Sequence, residues 1–157
     1  MKKFNTYTII TVFFLTALYP VFSLAAEKDG WENGSDYNSY YNAKERDTLK
    51  GILVKFKTVT PLSGMSPGTA FILREGDDNI LVHLCPRSFA DAKGTGLRKG
   101  VKTKVKGCWA FIDGKDVFIA SKVKQGEHFE FKVRLTKDGT PFWTMSPEEL
   151  EKERNPK

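Results

Sequence analysis

The side chains here best able to do chemistry are two cysteines and two histidines: Cys85, Cys108, His83 and His128. His83 and Cys85 stand two apart in an apolar run, so on a strand both point to one face. A thiolate and an imidazole there, joined by Cys108, would suit zinc or copper. The spacing lends this little: there is no C-x-x-C and no H-x-x-x-H, and His128 follows a Gly126-Glu127 turn. Alternatively, two lone cysteines in an oxidising compartment pair as one disulfide. A Cys85–Cys108 bridge would clip the end of a third strand to a fourth and add about 3–4 kcal/mol. A third constellation is electrostatic. Lys102, Lys104 and Lys106 alternate with Val101, Thr103 and Val105, which sets a row of cations on one strand face. Arg98, Lys99, Lys122 and Lys124 extend it in sequence.

Catalytic constellations are not visible. Neither histidine carries a triad motif. Asp77, Asp78, Asp113, Asp116 and Asp138 all stand in turn contexts, where Asp bonds its own backbone. Gly94-Thr95-Gly96 is a loop with no helix after it, so it cradles no phosphate. The expectation is a non-enzyme with no cofactor.

The compartment follows from the N-terminus. A basic Met1-Lys2-Lys3, an uncharged run over residues 6–22 and the small residues of Ser23-Leu24-Ala25-Ala26 predict a signal peptide over residues 1–26. Export places the chain in the periplasm or outside the cell, with no stable membrane span after cleavage. The chain has 157 residues, and 40% hydrophobic against 28% charged is a globular balance. That length allows one modest domain with appendages. The formal net charge is +6, and it is concentrated: residues 50–138 hold seventeen bases and nine acids.

Residues 27–47 carry Trp31, Tyr37, Tyr40 and Tyr41 among Gly, Asn, Ser and Asp, with no periodic face. They read as a flexible arm, a solvated linker in preference to a segment that docks through its aromatics. Residues 48–143 read as strands. Ile52, Val54 and Phe56 alternate with lysines. Residues 69–74 and 80–84 flank Glu75-Gly76-Asp77-Asp78-Asn79, a hairpin turn. Residues 86–92 fit one short helix with Pro near its start. Residues 101–112 and 117–123 flank the tight Asp113-Gly114 turn, with Gly107 a bulge. Phe129, Phe131, Val133 and Leu135 alternate in one more strand, with the Phe pair expected in the core. Residues 144–157 form a polar tail in which Ser146-Pro147-Glu148-Glu149 starts a helix. Three strands, a short helix, two strands and an added strand predict an all-β fold. Its architecture would be a small OB-like Greek-key β-barrel with the helix between strands three and four.

The barrel region resembles a group of small exported bacterial proteins of OB-like fold without a settled function. The pieces that carry the resemblance are Gly51-Ile52-Leu53-Val54, Val82-His83-Leu84-Cys85-Pro86, Ile119-Ala120-Ser121-Lys122-Val123 and Asp138-Gly139-Thr140-Pro141-Phe142-Trp143, with residues 99–108. The family has Gly before that Pro and Ser after the later Gly. Cys85 and Cys108 stand at those two places, and the joint departure suggests that they belong together. The resemblance implies no catalytic residue, and only His83 carries over as a motif position.

The expected function is therefore an exported, non-catalytic binding or accessory module of the bacterial envelope. OB geometry would put a ligand near the loop at 60–68, the face around Arg74 and His83, and the turn at 113–116. His83, Arg74, Lys102, Lys104 and Lys106 are the candidate binding residues. The partner would be an envelope protein or an anionic ligand. One alternative is metal or redox handling by Cys85, Cys108 and His83. Another is binding of nucleic acid or other polyanions by the basic face. The outward positions 70, 72, 74, 81, 83 and 85 offer no aromatic for base stacking. Trp109 and Trp143 read as core or lid residues.

Overall fold

The computed structural model describes residues 29–155, so the expected signal peptide lies outside the described residues. A short helix, α1 (Asp36–Ser39), precedes six strands. These are β1 (Arg46–Val59), β2 (Gly68–Glu75), β3 (Asp78–Pro86), β4 (Lys102–Ile112), β5 (Lys115–Gln125) and β6 (Phe129–Lys132). A 3-10 turn at Phe142–Thr144 and a helix, α2 (Pro147–Arg154), end the described chain. Asp113 and Gly114 take φ of 54° and 76°, the mirror-image turn whose twist matches a β-hairpin. Ser146 caps α2: its Oγ accepts from Glu149 N, and the Glu149 carboxylate accepts from Ser146 N. Among the described residues no helix is long and apolar enough to cross a membrane.

The sheet runs β3-β2-β1-β4-β5-β6. A parallel pairing of β3 with β5, at Val82↔Phe118 and His83↔Ile119, closes five strands into a ring. β6 pairs with β5 alone. The all-β class is thus correct. The short helix expected after β3 does not form. Its first turn starts, with Phe89 N and Ala90 N both bonding Pro86 O. The Ala90 carbonyl is then taken by Thr69 Oγ1 at 2.7 Å and Cys85 Sγ at 3.6 Å, and Asp91 Oδ1 accepts from Gly94 N. Side chains of β2 and β3 thereby capture the carbonyl that a helix would need.

Irregularities in the strands decide which residues share a face. In β1 the register skips Val54, passing from Leu53↔Leu73 to Lys55↔Ile72. Leu49, Leu53 and Phe56 therefore face the core, where the sequence pointed to Ile52, Val54 and Phe56. In β3 the register passes from Cys85↔Thr69 to His83↔Ala70 and leaves Leu84 unpaired. In the β4–β5 pair it breaks at Lys106/Gly107, but the extra residue is Ser121 on the opposite strand. Gly107 stays without a side chain because a Cβ would collide with the Ile119 carbonyl.

Two buried clusters flank the ring wall. Leu53, Phe71, Leu73, Val82, Val105 and Phe118 fill the first. The second forms where Trp31, Tyr37 and Tyr41 of the arm cover Cys108, Ile112, Val117 and Ile119. The arm is therefore packed structure rather than a solvated linker: Trp31 is only 1% exposed. Trp31 Nε1 donates to Ser66 O at 2.9 Å, and Trp143 Nε1 donates to Trp31 O at 2.7 Å. Trp143 thus holds down the arm. Phe129, expected in the core, is 38% exposed, and Phe131 is half-buried. β6 lies at an edge, where Phe129 stands over Gly96 while Phe131 packs against the first cluster.

Candidate functional site

The bulge at Leu84 separates the residues that a metal site would have needed. With one extra residue between them, His83 and Cys85 no longer share a face. Cys85 enters the first cluster, while His83 turns to the arm. Cys108 lies in the second cluster with Asn42 N 3.3 Å from its Sγ. Both cysteines are buried and unbonded, so the expected disulfide is absent from the structure. The physical reason is the same phase change, which aims the two thiols into different packing clusters. Burial pushes the Cys85 thiol up to about 12 and raises that of Cys108 as well. Neither is a ready thiolate. Among the described residues no group of three metal-ligating side chains converges.

His83 is a buried neutral imidazole. Desolvation lowers its pKa from 6.5 to about 4. Its Nδ1 lies 3.2 Å from the Tyr37 hydroxyl. That hydroxyl in turn belongs to an aromatic box around Arg134. The guanidinium stands 4.8 Å from the Trp143 ring centre, 5.2 Å from Tyr41 and 5.9 Å from Tyr37. Arg134 Nη1 donates to Gly139 O at 3.2 Å, whereas Nε and Nη2 have no partner among the described residues. Cation–π attraction rather than a carboxylate holds this buried cation. Sequence reasoning missed Arg134, because its alternation with Val133 and Leu135 reads as an outward strand position. His83 also walls a cleft of about 180 Å³ between Thr60-Pro61 and the Asp113–Lys115 turn. Its packing makes it a fastener of the arm first.

The basic residues divide. Arg74, Lys102 and Lys104 come together around an open groove of about 560 Å³. Lys50, Lys124, Gly51 and Ile52 also line it. Lys106, the third of the row, stands outside it, opposite Thr48 and Lys122. The register explains the grouping. Lys50↔Lys104 and Lys104↔Lys124 form one line across three strands. Arg74↔Ile52 and Ile52↔Lys102 form a second. Lys50 was the member that sequence reasoning overlooked, since Lys50-Gly51 sits outside the apolar alternation that marks β1. Lys124 is held by Glu130 at 3.4 Å, a carboxylate it shares with Lys122 and Lys132. The other four cations of the groove are not ion-paired among the described residues.

Four aromatics are exposed outside the groove: Tyr40, Trp109, Phe111 and Phe129. Trp109 is 43% exposed and Phe111 65%, both near the tip of the β4–β5 hairpin. Trp109 is thus not enclosed by the ring, although its edge contacts Phe118 at 5.3 Å between centroids.

Strands β1 to β5 and the whole groove fall within residues 45–130, and this is the span that matches the MamS/MamX magnetosome protein family. The chain belongs to that family. The match takes in the His83 and Lys99-to-Cys108 pieces of the sequence resemblance and ends before Asp138-Gly139-Thr140-Pro141-Phe142-Trp143. No curated protein matches the chain at a significant level.

Proposed function

We propose that this MamS/MamX-family chain is an exported, non-catalytic accessory module of OB type that serves magnetosome biogenesis. Family membership over residues 45–130 is the observation that carries the reading. The ring order supports the OB part: β1-β2-β3-β5-β4, closed back on β1 with β3 parallel to β5, follows the five-stranded Greek-key plan. The same plan is widely used to present binding surfaces on a rigid wall. The separation of Cys85 from Cys108 and His83 gives the metal or redox alternative no support. The test is deletion of the chain in a magnetosome-forming bacterium, complemented by the full-length protein. Altered magnetosome number or crystal size by electron microscopy, restored on complementation, is the expected result. Unchanged magnetosomes would overturn the reading. A phosphatase fused after Lys157 and active only when exported checks the compartment in the same strain.

A further inference from the structure

The groove gathers five cations from four strands, and their register makes the arrangement costly for the protein alone. Lys50, Lys104 and Lys124 stand directly opposite one another on adjacent strands, about 4.8 Å apart per step. Like charges in directly opposed positions repel. The nearest acids relieve little of this. Glu130 is divided among three lysines at 3.3–3.5 Å, and Glu75 Oε1 accepts from the backbone N of Lys50 at 2.8 Å. The groove is therefore a largely uncompensated positive concavity, with Lys124 its one ion-paired cation among the described residues.

Its lining also selects among anions. Four of the five cations are Lys, flexible point charges that pair with anionic oxygens at variable positions along a ligand. No aromatic side chain lines it, so the stacking half of nucleic-acid binding is missing. The groove is a concavity of about 560 Å³ bounded by residues of four adjacent strands, a shape that an extended chain can enter. An extended peptide repeats its side chains on one face every ~6.7 Å, the distance between positions 102 and 104 along β4.

From this charge complementarity we propose that the groove bounded by Lys50, Arg74, Lys102, Lys104 and Lys124 docks an acidic, Asp/Glu-rich extended segment of a partner protein. The inference names the partner chemistry of the accessory module and rests on that reading only in taking the chain as a binding protein. The ligand's carboxylates lie over the two cation lines and neutralise the repulsion between them. Binding is electrostatic and salt-sensitive.

The probe is a fluorescein-labelled oligoglutamate of about ten residues, titrated by anisotropy against the folded protein at an ionic strength of about 0.05 M. Saturable binding is expected, weakened at least about tenfold by raising the salt several-fold. The double variant Lys102→Gln/Lys104→Gln is expected to lose about tenfold or more in affinity. Lys55→Gln/Lys57→Gln removes the same charge from exposed positions outside the groove and is expected to bind as the parent does. Thermal unfolding of each variant confirms that it is folded. Absence of saturable binding, or equal loss in both double variants, overturns the proposal. So does tighter groove-dependent binding of oligo-dT or of phosphatidylglycerol vesicles, which would assign the groove to phosphate anions. A negative peptide result beside a magnetosome defect in the deletion strain would remove this inference and leave the proposed function standing.

Discussion

The Tyr37 hydroxyl against His83 Nδ1 joins the arm to the ring at the cost of keeping the imidazole out of water. His83 is 3% exposed, and its pKa of about 4 lies below the 6.5 of a solvated histidine. As pH falls from 6.5 toward 4, the unfolded chain takes up a proton that the folded one refuses. Stability contributed by the neutral imidazole is therefore complete above pH 6.5, falls across that window, and is flat below it. The shift corresponds to about 3 kcal/mol at most. Urea unfolding of the parent and of His83→Gln across the window is expected to show the difference in stability shrinking as pH falls. The other titrating groups, Glu130 and Asp138 among them, are present in both proteins and cancel. A difference that does not change with pH would mean that His83 titrates normally. At this scale the sequence marked the right histidine for the wrong reason. The i, i+2 rule that put Cys85 beside it fails because Leu84 is an unpaired residue, and no residue type there announces a bulge.

Strands were legible because their alternation is an energetic requirement, and bulges were not because a single residue can absorb them. Val54 and Ser121 shift phase much as Leu84 does, and all three are ordinary strand residues. The arm was illegible for another reason. Trp31, Tyr37 and Tyr41 pack into one shared cluster from a segment with almost no regular structure, so they leave no sustained helical or strand period. One trace did exist in the glycines. A Cβ on Gly68 would run into the Trp31 indole, and one on Gly139 into the Tyr41 ring. The arm and β2 therefore depend on each other at Gly68. Trp31→Ala is expected to cost about 3–5 kcal/mol by emptying the second cluster. Gly68→Ala should cost about 1–3 kcal/mol by forcing the indole out. In the Trp31→Ala background the added methyl meets no ring, so Gly68→Ala should then cost far less. Denaturant unfolding of the four proteins measures this coupling. Strict additivity would show that the arm does not sit on Gly68 in solution.

For the whole molecule, the charge excess of residues 50–138 was plain in the composition, but its shape was not. Three lysines on one strand suggested a stripe along β4. The fold cuts that stripe, leaving Lys106 out and bringing in Lys50, Arg74 and Lys124 from three other strands. Only the pairing registers, each displaced by a bulge or a crossover, could show this. The rearrangement has a consequence for stability that is independent of any ligand. Lys104 has a lysine directly opposite on each side, so Lys104→Glu turns two repulsive pairs into attractive ones. At low salt this should stabilise the protein by roughly 0.5–1 kcal/mol. The gain should fade as the Debye length shrinks below the spacing of the lines, while the parent itself grows more stable. Lys55→Glu, opposite Ile72 rather than a lysine, should change little. Thermal midpoints of the three proteins at low and high salt decide the matter. If Lys104→Glu instead lowers the midpoint at low salt, the lysines are already neutralised in the free protein, and the groove has no unspent charge to offer a partner.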